Sequence, residues 1–168
     1  MTTNPLDDRP IIALAMGDPA GVGAELAARL LVSDNVRAAA HLIVVGDRRI
    51  LDEGARVGGL QLDIDQAEPE TLASGRAVRP VLVNLANLDP ADVSLGVASL
   101  AGGRFATQNF AFALKLAESG RADAVCFTPF NKIAMRYAYP GYDDEIRFIS
   151  GVIGFTGRAR EFNVLEAV

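Results

Sequence analysis

Three short stretches carry residue types that could do chemistry. The first is Met16-Gly17-Asp18-Pro19-Ala20-Gly21-Val22-Gly23. It lies between an apolar run, Ile11–Ala15, and a helix-like run, Glu25-Leu26-Ala27-Ala28-Arg29-Leu30-Leu31. A glycine-rich turn feeding a helix N-terminus offers unpartnered N–H groups and partial positive charge, which suit an anion. Gly17, Asp18, Gly21 and Gly23 are therefore a candidate anion-binding loop, the glycines permitting positive φ or close approach of a ligand. The second stretch is Thr128-Pro129-Phe130-Asn131-Lys132, where Asn131 and Lys132 could bind a substrate's polar and anionic groups. The third is Asp143-Asp144-Glu145, three carboxylates that could hold a divalent cation or substrate hydroxyls.

Each stretch also has a purely structural reading. The glycines fit a tight β-to-α turn without a ligand, Asn131 fits a helix cap, and Lys132 fits a solvated charge. The acidic cluster suits the dipole of the helix-like run that follows it. The glycine loop is not a P-loop, since no Lys-Ser or Lys-Thr follows its second glycine. Nor is it a dinucleotide fingerprint, since the spacing is G-x-x-x-G-x-G. Asp47 ends an apolar run at about the interval at which nucleotide-binding folds hold a ribose. The competing reading is a cap on the helix that follows. His41 precedes the apolar run Leu42-Ile43-Val44-Val45 and reads as a strand-edge residue, not a triad member.

The elements that must position these stretches follow from the hydrophobic pattern. Strands are expected over residues 11–15, 42–45, 60–64, 81–85 and 123–127. Helices are expected over 21–31, 48–57 and 103–118, with Phe105, Phe112 and Leu116 on the apolar face of the last. Shorter helices should follow Lys132 and Glu145. Ser33-Asp34-Asn35 interrupts the pattern, residues 65–77 read as a polar loop, and Asp89-Pro90-Ala91-Asp92 is turn chemistry. Cys126 should be a small buried hydrophobe within its strand. Alternating strands and helices predict an α/β fold with a mostly parallel sheet flanked by helices. Residues 1–9 read as a flexible tail and 10–168 as one α/β unit. In such a sheet ligands gather beyond the carboxyl ends of the strands, where Gly17–Gly23, Asp47 and Thr128–Lys132 would lie.

Composition narrows the class. The chain has 168 residues, half of them hydrophobic, enough for one buried core. A net charge of −5 argues against nucleic acid or an anionic membrane surface as the main partner. No apolar run is long enough to span a bilayer, and the polar start is not a signal peptide. A cytoplasmic protein is the expectation. One cysteine and one histidine exclude a disulfide framework and a His/Cys zinc site within this chain. Residues 161–168 look like the start of another strand, and the chain stops inside that apolar pattern, as a truncated chain would.

Taken together, Gly17-Asp18-Pro19-Ala20-Gly21-Val22-Gly23 and Thr128-Pro129-Phe130-Asn131-Lys132 resemble the two motifs of the 4-hydroxythreonine-4-phosphate dehydrogenase family, PdxA. The helix after Gly96, with Gly103 and Ala106, fits the same pattern, and the resemblance runs from Arg9 to Val168. It implies a fold like that of isocitrate and isopropylmalate dehydrogenases, with two α/β parts around the active site, of which this chain would supply an incomplete pair. It implies an NAD- or NADP-dependent oxidation of a secondary alcohol in a phosphorylated four-carbon hydroxy acid, within a homodimer. It also implies a divalent metal (Zn, Mg, Mn or Co) whose histidine ligands, like the residues that grip the substrate phosphate and most of the nicotinamide pocket, are expected beyond Val168.

The family's Gly-His-Thr-Glu segment, aligned on Glu145, places Asp143 and Asp144 where His and Thr contact substrate. Two carboxylates there would repel a phosphate unless a metal or a lysine intervenes. By resemblance, then, the substrate-binding candidates are Asn131, Lys132, Asp143 and Asp144, and at this length the chain is expected to show little or no turnover. The alternative is a non-catalytic α/β module that binds a phosphorylated metabolite or a nucleotide.

Overall fold

The computed structural model describes residues 8–72 and 77–162. Five parallel strands form one sheet in the order β3-β4-β2-β1-β5. They are β1 (Ile11–Ala15), β2 (His41–Gly46), β3 (Asp65–Ala67), β4 (Val81–Asn84) and β5 (Ala124–Phe127). The helices are α1 (Gly23–Val32), α2 (Asp34–Ala39), α3 (Arg48–Gly58), α4 (Leu100–Glu118), α5 (Lys132–Ala138) and α6 (Glu145–Val152), with one 3-10 turn at Pro90–Asp92.

Both faces of the sheet are covered, so its central strands read as continuous apolar runs. Side chains alternate between the faces with period two. Ala13, Ala15, Ile43, Val45, Val81 and Val83 share a core with Phe110, Ala113 and Leu116 of α4, Met135 of α5 and Phe148 of α6. Leu14, Met16, Leu42, Val44 and Leu82 face the other way, onto Ala27, Ala28 and Leu31 of α1 and Ile50, Leu51 and Ala55 of α3. The chain lays β2 and then β4 on one side of β1, and after α4 it returns to place β5 on the other side. The strand order therefore reverses between β1 and β5, the position at which open α/β sheets form their ligand crevice.

Glycines set the close approaches. A Cβ on Gly103 of α4 would lie 1.8 Å from the carbonyl oxygen of Ala134 in α5. One on Gly54 of α3 would lie 2.4 Å from that of Ala24 in α1. Helix α3 ends as its sequence predicts, with Gly59 in the left-handed region at φ 64°.

Several expectations need correction. Residues 60–64 form no strand. Leu60, Leu62 and Ile64 alternate because they pack on the core from an extended loop, and the ladder starts only at Asp65, inside the stretch expected to be loop. Ser33 does interrupt the first helix, ending α1 and standing at the N-cap of a separate short helix, α2, that starts at Asp34 and that the hydrophobic pattern does not predict. Phe105 and Leu116 are fully buried, but Phe112 only partly. Cys126 is exposed. Strand β5 is an edge strand that pairs with β1 alone, and three of its four residues are exposed, so its apolar composition does not bury the thiol. The expected final strand falls largely on residues 163–168, outside the described residues, as does most of the expected tail.

Candidate functional site

The glycine loop and the 128–132 loop leave adjacent parallel strands at the switch point and are joined to each other. The Gly17 N–H donates to Thr128 Oγ1 at 2.8 Å, and the Asp18 N–H donates to the Pro129 carbonyl at 2.9 Å. Such contact requires glycine at 17, since a Cβ there would sit 2.3 Å from the carbonyl oxygens of both Thr128 and Pro129. Gly23 is held in the same way, its Cβ position lying 2.8 Å from Thr128 Oγ1. Within the loop, Asp18 Oδ1 accepts the Ala20 N–H at 3.0 Å, and the Asp18 carbonyl accepts the Gly21 N–H at 3.3 Å. The donors of Gly17, Asp18, Ala20 and Gly21 are thus committed within the protein, and Pro19 has none. Any anion at this loop must use the first turn of α1, where Val22 at the N-cap supplies no side-chain acceptor.

Helix α4 braces the clasp from behind. Asn109, fully buried, donates Nδ2 to the Met16 carbonyl at 3.0 Å and accepts from Asn87 Nδ2 at 3.1 Å. Asp47, at the end of β2, takes the capping role and not a ribose-binding one. Its carboxylate accepts the Arg49 N–H at 2.9 Å and the Leu88 N–H at 3.3 Å, and pairs with the Arg49 guanidinium at 2.8 Å. Burial alone would raise the Asp47 pKa, but those hydrogen bonds outweigh it and hold the group below the ordinary carboxylate value. His41 opens β2, buried, with Nδ1 3.0 Å from the Ala77 carbonyl.

The remaining candidates come together at the starts of α5 and α6. Asn131 caps α5, its Oδ1 accepting from Ile133 and Ala134 N–H. Asp144 caps α6, accepting the Arg147 N–H at 2.7 Å, and Asp143 lies 3.7 Å from the Arg147 guanidinium. The structural readings of Asn131 and Asp144 therefore hold locally, whatever else these side chains do. Lys132 and Glu145, each the first residue of its helix, meet at 3.3 Å and link the β5 loop to the acidic turn.

Sequence reasoning named Lys132 but gave Glu145 no partner and Tyr142 no role. Tyr142 is 3% exposed, and its hydroxyl has no hydrogen-bond partner among the described residues. Its signal in the sequence was faint: a tyrosine between Gly141 and two aspartates. Burial, then the Glu145 charge, pushes its phenol up. Glu145 is itself raised by burial, but its own N–H, Lys132 and Tyr142 bring it net below its ordinary value.

The metal that the resemblance implies finds no fit here. Among the described residues no group of three or more His, Cys, Asp or Glu side chains could hold an ion. Nor does the glycine loop, with its donors committed, form a pyrophosphate cradle. Among the described residues no helix is long and apolar enough to cross a membrane.

Comparison with known proteins places this arrangement. Residues 38–165 match the family model described as "Pyridoxal phosphate biosynthetic protein PdxA". The chain is 63% identical, over 172 aligned positions, to a Rhizobium meliloti protein described as "Putative 4-hydroxythreonine-4-phosphate dehydrogenase 2"; the match covers 100% of this chain and 49% of that one. It is 29% identical to a "D-threonate 4-phosphate dehydrogenase" of Cupriavidus necator, covering 86% of this chain and 44% of the relative. The crystal structure of a 4-hydroxythreonine-4-phosphate dehydrogenase from Burkholderia phymatum superposes with a TM-score of 0.77 at 30% identity, over 88% of this chain and 44% of that one. The chain spans about half the length of the curated relatives it matches. The family model covers well over half of the chain and the solved relative shares its fold, and the chain belongs to the PdxA family of dehydrogenases.

Proposed function

We propose that this chain forms part of the substrate cleft of an NAD(P)-dependent dehydrogenase that oxidises the secondary alcohol of a phosphorylated four-carbon hydroxy acid, 4-hydroxythreonine 4-phosphate or D-threonate 4-phosphate. The observation that carries this reading is the 63% identity along the whole chain to a relative described as such a dehydrogenase. The nicotinamide, when bound, accepts the hydride of the alcohol.

This chain's own residues bind and orient. Lys132, half exposed at the carboxyl end of β5, supplies the cation that meets the acid's phosphate or carboxylate. Asn131 and the half-exposed acidic turn address its hydroxyls. Aligned on Glu145, Asp143 and Asp144 stand where the resemblance puts the family's His and Thr, so they disfavour a phosphate placed directly against them. The divalent ion of the family and the remaining half of the cleft come from outside these residues. Pairing into a homodimer belongs to the same reading.

The chain alone is expected to bind the acid without turning it over. Calorimetric titration of D-threonate 4-phosphate tests the binding, and the absorbance of reduced nicotinamide, with NAD or NADP and a divalent ion present, tests the turnover. Binding without reduced nicotinamide is the expected pair of results; absence of binding would remove the reading. A non-catalytic module for nucleotides would instead bind NAD(P) and ignore the acid.

A further inference from the structure

Lysine is a poor choice for the first turn of a helix, because the helix dipole there opposes a cation. Lys132 nevertheless opens α5, directly after its Asn131 cap. Glu145 opens α6, directly after its Asp144 cap. The two caps fix two helix starts, and the Lys132 ammonium and Glu145 carboxylate meet between them at 3.3 Å. Glu145 is the more enclosed partner, with 27% of its side chain exposed against 50% for Lys132. Three residues before it stands Tyr142, whose buried hydroxyl has no hydrogen-bond partner among the described residues and whose phenol burial, then the Glu145 charge, pushes up.

The Tyr142 ring is locked against Phe148 at 5.7 Å between centroids, and Arg136 Nε donates to the Tyr142 carbonyl at 3.2 Å. The turn that carries Glu145 is therefore anchored from both α5 and α6. A flexible lysine on the surface gains little from such an anchor; a lysine that must present its charge in one place gains orientation.

We propose that Glu145 is the positioning residue for Lys132: backed by Tyr142, it holds the Lys132 ammonium at the carboxyl end of β5 as a fixed cation for the anionic group of a phosphorylated acid. The inference rests on the functional reading above for the identity of the ligand, but the positioning itself can be read without any ligand.

The chain contains only two lysines, Lys115 and Lys132, so each can be followed separately. Trace acetylation of the intact folded chain, quantified by peptide mass spectrometry, gives the labelling ratio of Lys132 to Lys115. An ion pair of this exposure shifts such a ratio about two- to five-fold. Glu145→Gln should raise the ratio by that factor and Glu145→Asp should restore most of the protection. Tyr142→Phe should raise it less. A merely structural role for Glu145 would lower the unfolding temperature in both Glu145 variants without changing the ratio.

An unchanged ratio in Glu145→Gln, with circular dichroism showing the fold intact, overturns the proposal. D-threonate 4-phosphate should protect Lys132 further in the wild type and in Glu145→Asp, and less in Glu145→Gln. If the ratio responds to Glu145 but the acid protects Lys132 in no variant, the positioning stands and the functional reading fails.

Discussion

Replacing Gly17 by alanine tests whether the glycine loop is a clasp between strands or a cradle for an anion. The new Cβ would lie 2.3 Å from the carbonyl oxygens of Thr128 and Pro129, both backbone atoms that cannot swing away. Ordinary contact needs about 3.5 Å, so the loops after β1 and β5 must part by roughly 1 Å. That movement stretches the 2.8 Å bond from Gly17 N–H to Thr128 Oγ1 and the 2.9 Å bond from Asp18 N–H to Pro129. Overpacking of this kind costs about 1–3 kcal/mol. Two weakened hydrogen bonds add ~1 kcal/mol, and the stiffer unfolded chain returns ~0.5 kcal/mol, for a net loss of ~1.5–3.5 kcal/mol. In a domain of this size that lowers the midpoint of thermal unfolding by roughly 3–14 °C. Gly21 is the control. Its nearest atom would be Asp18 Oδ2 at 3.6 Å, an ordinary contact, and its φ is not positive, so Gly21→Ala should be neutral or slightly stabilising. Urea and thermal unfolding of the two variants decide the matter. If Gly17→Ala stays within ~0.5 kcal/mol of wild type, or Gly21→Ala falls as far as Gly17→Ala, the clasp is wrong.

Two other predictions follow from single side chains. Asp47→Ala removes a buried carboxylate that takes hydrogen bonds from Arg49 and from the Leu88 N–H, and should cost ~2–4 kcal/mol at pH 7 by denaturant unfolding. Because the folded Asp47 pKa lies below its unfolded value, this stability is complete at neutral pH and is lost as pH falls through the folded pKa. The gap between wild type and variant should therefore shrink below about pH 4; a gap constant from neutral to acid pH contradicts the assignment. Cys126 should react with a thiol reagent in the native protein at a rate within ~10-fold of that in the unfolded chain. Protection of ~100-fold or more would mean that the outer side of β5 is covered.

The sequence made the sheet legible wherever an apolar run was bounded by turn chemistry. Strands β1, β2 and β4 and helices α1, α3 and α4 lie within a few residues of their expected spans, because burial on both faces leaves long apolar runs with clear ends. Residues 60–64 misled because packing from an extended loop also alternates apolar and polar side chains. Cys126 misled for a different reason. A strand's composition does not say whether it lies at the edge of a sheet, and β5 reads as apolar as its neighbours while one side stays open. At the candidate site, spacing singled out Gly17, Asn131 and Lys132 as candidates, and cap chemistry explains Asn131, Asp144 and Asp47. The Lys132–Glu145 pair and the Asn109 brace join residues distant in sequence or on separate elements, and only the fold brings them together.

Whether this chain holds a phosphorylated hydroxy acid through Lys132 is decided by calorimetric titration of D-threonate 4-phosphate into wild type and Lys132→Ala. Saturable binding by the wild type is expected, with a loss of ~10-fold or more in affinity for Lys132→Ala, as when a charged hydrogen bond to an anion is removed. Equal affinity in the two proteins, or no binding to either, would contradict it.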